Sequence, residues 1–156
     1  MNSLTTQFEE VRLVYKNRTR AEDRPKVQSP DDAFKILYES WDKDQITLRE
    51  ECKLLLLDNR MHLMSIAPIS TGGMTEAIVD PRIVFAIALK RRSHRIILAH
   101  NHPTGNLKPS EADLRLTERL SSLGKMMRID LEDHLIITDE GYRSIMHDTY
   151  GSIQIG

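Results

Sequence analysis

Arg95-Ile96-Ile97-Leu98-Ala99-His100-Asn101-His102-Pro103-Thr104-Gly105-Asn106-Leu107-Lys108-Pro109-Ser110-Glu111-Ala112-Asp113 reads as strand, loop and helix start in succession. The short apolar run up to His100 has the length of a buried strand. Pro103, Gly105 and Pro109 break it into a loop. Ser110 opens an amphipathic helix that is expected to run to Leu123, with Gly124 at its stop position. Residues i and i+2 of a strand point to the same side, so His100 and His102 present two imidazoles together where the chain leaves the sheet. Asp113 falls in the first turn of the next helix, and the intervening loop can fold back to bring it beside the strand end. Two neutral imidazoles and a carboxylate form a zinc set with one tetrahedral position left for water. Plainer readings stand beside this one. Most His-x-His pairs bind nothing, and Ser110-Glu111-Ala112-Asp113 is also a capping box. The two readings of Ser110 are partly compatible, since its oxygen can accept one hydrogen bond while its proton is donated elsewhere.

Working outward, Val11, Leu13 and Tyr15 alternate with charged residues, which predicts a short strand near residues 8–16. Residues 17–28 are polar and patternless. Ser29-Pro30-Asp31-Asp32 starts a helix that continues through Ala33, Ile36, Leu37 and Trp41. Cys52 to Leu57, the turn Asp58-Asn59-Arg60 and a strand from Met61 to about Ile69 predict a hairpin, closed by Thr71-Gly72-Gly73. Asp80-Pro81 starts another helix, with Ile83, Val84, Ile87 and Ala88 as its expected buried face and Lys90-Arg91-Arg92 at its end. Ile129 to Thr138 and Tyr142 to Met146 are expected strands around the turn Asp139-Glu140-Gly141. This alternation predicts an α/β layered domain, a mixed sheet flanked by helices.

The composition narrows the classes. A length of 156 residues suits one domain, and a hydrophobic fraction of 40% suffices for a core. The net charge of -1 supplies no global field for nucleic acid or an acidic membrane. The single cysteine excludes an intrachain disulfide and a Cys-rich zinc site. No apolar run approaches the ~18 residues of a membrane span. The first residues show no signal peptide, so a cytoplasmic protein is expected.

His-x-His, seven residues, Ser, two residues, Asp is the JAMM signature, and His100, His102, Ser110 and Asp113 match it in full. The chain resembles JAB/MPN metalloproteins, and within them the RadC branch, which usually has Ser where Thr104 stands. Further likeness lies in Leu54-Leu55-Leu56-Leu57-Asp58, Ser70-Thr71-Gly72-Gly73, Pro81 to Leu89 and Asp133-His134-Leu135-Ile136-Ile137. The resemblance implies the JAB/MPN, cytidine-deaminase-like layered architecture. It divides the chain into an N-terminal extension at residues 1–28, the RadC-like JAB/MPN domain at 29–147 and a tail at 148–156. The helix-hairpin-helix segment of longer RadC-like proteins is expected to be absent from residues 1–28, which lack its Gly pattern. Zinc would be held by His100, His102 and Asp113. An upstream Glu is implied as general base, and the spacing to Leu54–Asp58 selects Glu51, while a one-residue slip would bring Glu50 from the other face. Ser110 would donate to the developing oxyanion. The implied reaction is hydrolysis of a peptide or isopeptide bond in a protein or peptide substrate.

Other residues have plainer expectations. Asn101 should point away from the metal and hold the loop by a hydrogen bond. His134 fits the RadC-like pattern, with a role behind the ligands or in a substrate groove open to it, but a structural polar contact is the expectation. His62, His94 and His147 read as surface or strand-edge residues, and Cys52 as buried packing. The cations Lys90, Arg91, Arg92 and Arg95 could touch DNA, but such residues are expected at a helix C-terminus from the dipole alone. Two alternatives to hydrolysis of proteins remain: a DNA repair or recombination protein or metal-dependent nuclease, and an interaction module. Unpaired sheet edges leave room for a dimer.

Overall fold

A computed structural model of the chain describes residues 9–12, 19–71 and 79–153. Its strands are β1 (Glu51–Leu57), β2 (Leu63–Thr71), β3 (Arg95–Asn101), β4 (Asp130–Ile137), β5 (Gly141–Ser144) and β6 (Thr149–Ser152). Its α-helices are α1 (Pro30–Ser40), α2 (Pro81–Lys90) and α3 (Glu111–Met127). The strands form one sheet in the order β2-β1-β3-β4-β5-β6. Neighbours pair antiparallel except β3 and β4, which are parallel. A parallel pair needs a crossover, and α3 supplies it. The expected α/β architecture with a mixed sheet is the one observed.

Helices cover both faces of the sheet, which is why β1, β3 and β4 read as nearly continuous apolar runs. On one face Phe34, Leu37 and Trp41 pack on Leu55, Leu57, Ile97, Ala99, Leu135 and Ile137. On the other, Val84, Phe85, Ala88 and Leu120 pack on Cys52, Leu54, Leu56, Ile96, Leu98 and Leu131. Two helix starts follow the sequence signals. Ser29 Oγ accepts from Asp32 N–H ahead of Pro30, and the Asp80 carboxylate accepts from Arg82 N–H ahead of Pro81. The hairpin turn is held by Asp58 Oδ1, which accepts from Arg60 N–H and His62 N–H.

Some expectations need correction or placement. In α2 the buried residues are Val84, Phe85 and Ala88, while Ile83 is exposed. The run Ile83–Leu89 is apolar all round, so its periodicity does not fix which stripe meets the sheet. Thr149–Ser152, expected in the tail, pairs with β5 as an edge strand. The strand expected over residues 8–16 falls largely outside the described residues, and the described Glu9–Arg12 carry no strand. Gly72 and Gly73 also lie outside them. Among the described residues no helix is long and apolar enough to cross a membrane.

A further correction concerns Gly124, which lies within α3 rather than after it. Arg128 takes the left-handed conformation instead, at φ 56° and ψ 38°. The chain then folds back so that Ile129 N–H donates to the Gly124 carbonyl at 2.9 Å. A Cβ on Gly124 would stand 2.2 Å from the Ile129 carbonyl oxygen. The glycine is needed for close approach, not for a positive φ. Gly124→Ala should gain about 1 kcal/mol of helix propensity and lose more through overpacking against backbone, which costs ~1–3 kcal/mol. The urea midpoint should fall; a raised midpoint would show that the turn relaxes without cost.

Candidate metal centre

β3 carries His100 to the end of the sheet, where it pairs with Cys52 of β1 and Ile136 of β4. His102 follows the strand and keeps its direction, because its N–H donates to the Ile137 carbonyl at 3.0 Å. The loop then tightens, with Gly105 at φ +83° and its N–H donating to the His102 carbonyl. His102 Nδ1 lies 2.6 Å from the Asn106 carbonyl oxygen. A carbonyl only accepts, so Nδ1 carries the proton and neutral His102 keeps a lone pair on Nε2. The α3 start is a full capping box: Asp113 N–H donates to Ser110 Oγ, and Ser110 N–H donates to Asp113 Oδ2. That box aims the Asp113 carboxylate at both histidines. The capping carboxylate thus also stands where a metal ligand would be needed.

Three ligand atoms converge. His100 Nε2 is 2.9 Å from His102 Nε2 and 3.3 Å from Asp113 Oδ1, while His102 Nε2 is 3.4 Å from Asp113 Oδ2. Tetrahedral bonds of ~2.0–2.1 Å from a zinc-like cation set ligand atoms roughly 3.3 Å apart. Two imidazole nitrogens and a carboxylate at these distances are a donor set that fits such a cation. Glu50, His100 and His102 also offer ligand atoms within 4.8 Å of one another.

Glu50 and Glu51 separate by strand parity. Cys52 faces His100 across the β1–β3 ladder, so Glu50, two residues before it, lies on the histidine face. Glu50 is 7% exposed, with Oε1 3.9 Å from His100 Nε2. Glu51, the residue selected from spacing, has the parity of Leu55 and Leu57 on the α1 face, and its carboxylate meets Arg49 at 3.4 Å. The difference between spacing and placement has a physical cause. β1 is apolar on both faces, so its sequence carries no alternation to show which side each glutamate takes. Asn101 points away from the histidines, as expected, and is fully buried. Its Oδ1 accepts from Glu51 N–H at 2.6 Å, and its Nδ2 donates to the carbonyls of Ile46 and Arg49 at 2.7 and 2.9 Å.

Comparison with known proteins identifies the family. The model of the RadC-like JAB domain matches residues 27–150. The chain belongs to the RadC-like JAB domain family. A UPF0758 protein of Alkaliphilus metalliredigens is 40% identical over 120 residues, covering 77% of this chain and 50% of its own. A UPF0758 protein of Flavobacterium johnsoniae is 37% identical over 134 residues, covering 84% of this chain and 57% of its own. The chain spans about half the length of the curated relatives it matches.

Within this RadC-like JAB domain the remaining polar residues fall into place. His134, expected to make only a structural contact, sets Nε2 2.8 Å from His100 Nδ1, and its Nδ1 lies 2.7 Å from Thr117 Oγ1. Thr117 went unnoticed in the sequence, although its place one helical turn after Asp113 was a usable signal. Complete burial holds His134 neutral, well below the usual imidazole range. Cys52 is buried, and that burial, with Glu50 and Asp113 nearby, keeps its thiol protonated. His94 and His147 are exposed, and His62 pairs with Asp58 at 3.3 Å.

Charge in the triangle is coupled. Burial would raise the Asp113 pKa, but hydrogen bonds from His100 and His102 outweigh it and hold the carboxyl far below the usual range. Burial would lower the His102 pKa, but Asp113 and the Asn106 carbonyl outweigh it and raise it above 6.5. Protonated His102 therefore stabilises the metal-free fold below its ordinary value, and this contribution is lost as pH rises through the raised pKa. Metal binding needs the neutral ring, so it strengthens over the same window. The melting-temperature increment given by zinc should grow as pH is raised from about 6.5, and in His102→Ala it should vanish. A parent increment independent of pH there would overturn the assignment of His102 as ligand.

Proposed function

We propose that the chain is a zinc-dependent hydrolase of the JAMM metallopeptidase or isopeptidase type, acting on a peptide or isopeptide bond in a protein or peptide substrate. The observation that carries this reading is the set of His100, His102 and Asp113 ligand atoms 2.9–3.4 Å apart with the Glu50 carboxylate beside them. Zinc held by those residues would supply a Lewis acid and lower the pKa of a water at its open position to about 7. Glu50 takes a proton from the attacking water and returns it to the leaving amine, a role its place on the histidine face supports. Ser110 Oγ accepts from Asp113 N–H and retains its own proton to donate to the developing oxyanion. One such donor contributes roughly 3–4 kcal/mol to the transition state.

The nuclease alternative draws less support. Arg95 starts β3, at the opposite end of the strand from His100, and its guanidinium pairs with Glu132. The basic cluster is therefore not beside the ligand triangle.

Metal analysis should find one zinc per chain in the parent and in Glu50→Gln, and none in His102→Ala. Mapping of new peptide N-termini in a treated lysate should show cleavage by the parent. Glu50→Gln should lose it by ~10²–10⁴-fold, while Glu51→Gln retains it. Zinc-free folded parent, or cleavage that depends on Glu51 and not Glu50, would sink the assignment. DNA cleavage without peptide products would favour the nuclease.

A further inference from the structure

A row of hydrogen bonds runs from behind His100 into the core and ends on the backbone of another proposed ligand. His100 Nδ1 is 2.8 Å from His134 Nε2, and His134 Nδ1 is 2.7 Å from Thr117 Oγ1. Thr117 Oγ1 in turn lies 2.8 Å from the Asp113 carbonyl oxygen. We propose that Thr117 and His134 are positioning residues that form a tautomer relay, which keeps His100 Nε2 free of a proton and ready for a metal. The inference rests on the metal reading of the site and is independent of the reaction.

Two neutral imidazoles and one hydroxyl in a row have two proton settings. In the first, Thr117 donates to the Asp113 carbonyl, His134 Nδ1–H donates to Thr117, and His100 Nδ1–H donates to His134 Nε2. Each contact of the row then holds one proton, and His100 Nε2 presents a lone pair to the triangle, where its 2.9 Å contact with His102 Nε2 is filled by a proton on His102 or by the metal. In the second, Thr117 donates to His134 Nδ1, His134 Nε2–H donates to His100 Nδ1, and His100 Nε2 carries a proton where the metal would sit. The Thr117 and Asp113 oxygens would then face each other at 2.8 Å with no proton between them. A carbonyl cannot donate, so this end of the row favours the first setting. Because the carbonyl belongs to Asp113, the helix turn that aims the carboxylate also sets the histidine tautomer. His134 is fully buried and both its ring nitrogens are engaged in the row, an arrangement a space-filling role does not require.

Thr117→Val removes the hydroxyl at nearly constant shape. His134 Nδ1–H would then lack an acceptor, and the second setting becomes the better one. Zinc affinity, read by competition with a chromophoric chelator, should fall by about 10–100-fold in Thr117→Val and return to near the parent value in Thr117→Ser. Long-range ¹⁵N–¹H correlation spectra of the imidazoles should show His134 with its proton on Nδ1 in the metal-free parent and on Nε2 in Thr117→Val. A merely structural role would leave that tautomer unchanged. Unchanged zinc affinity in Thr117→Val, or a parent His134 protonated on Nε2, would overturn the relay while leaving the metal reading standing. A folded parent that binds no zinc would overturn both. Should Thr117→Val fail to fold, the parent tautomer alone decides.

Discussion

The carboxamide of Asn101 joins the two halves of the candidate site. Its three hydrogen bonds fasten the segment from Ile46 to Glu51 against the end of β3. Strand alternation does the rest. Asn101 faces α1, so His100 beside it faces α2 and α3. One strand thus delivers His100 on one side and anchors, with the other, the backbone that carries Glu50. Each group that Asn101 satisfies would be costly to leave unpaired, at ~1–3 kcal/mol. The anchoring is therefore strong relative to the few kcal/mol by which a domain is stable.

The second constraint is the parallel pair of β3 and β4. A crossover through α3 returns the helix N-terminus to the carboxyl end of β3, the end where open α/β sheets gather ligand-binding groups. The positive end of the α3 dipole favours a carboxylate there. Asp113 therefore has local reasons to sit in the first turn before any metal is considered. The capping box holds its orientation, and the histidines meet a carboxylate already in place. Such preorganisation leaves less ordering to be done on metal binding.

Much of this was legible in the sequence, and the limits have identifiable causes. Caps and prolines located α1 and α2, because Ser29-Pro30 and Asp80-Pro81 act through local chemistry that needs no partner. The convergence of His100, His102 and Asp113 was legible for the same reason, since a strand, a loop and a first helical turn are all local. Failures arose where the information is tertiary. The side on which Glu50 and Glu51 lie depends on the pairing of Cys52 with His100, and an apolar β1 carries no trace of it. The buried stripe of α2 depends on how a helix apolar all round is rotated on the sheet. Gly124 looked like a helix stop because glycine often is one; its cause is the later return of Ile129 over the helix. Thr149–Ser152 became a strand through pairing with β5, which so short a polar segment does not announce.

His134 shows how far a short motif underdetermines its own role. As a residue on a strand beside Asp133 it has no visible partner, and a polar contact within the core is the economical reading. The fold gives it two partners from different elements, Thr117 from α3 and His100 from β3. A buried polar side chain is destabilising unless its donors and acceptors are met. Here they are met only if both partners are present and the protons run in a consistent order. The requirement is stricter than burial or packing alone, because an apolar residue of similar volume would fill the same space without ordering any proton. The same reasoning explains why Asp133 next to it takes no part. Its carboxylate accepts from Ser144 Oγ–H at 2.6 Å and from His134 N–H at 2.8 Å, so it holds the strand backbone rather than the imidazole. Adjacent residues of one strand thus divide the work by face, as Asn101 and His100 do on the strand beside them.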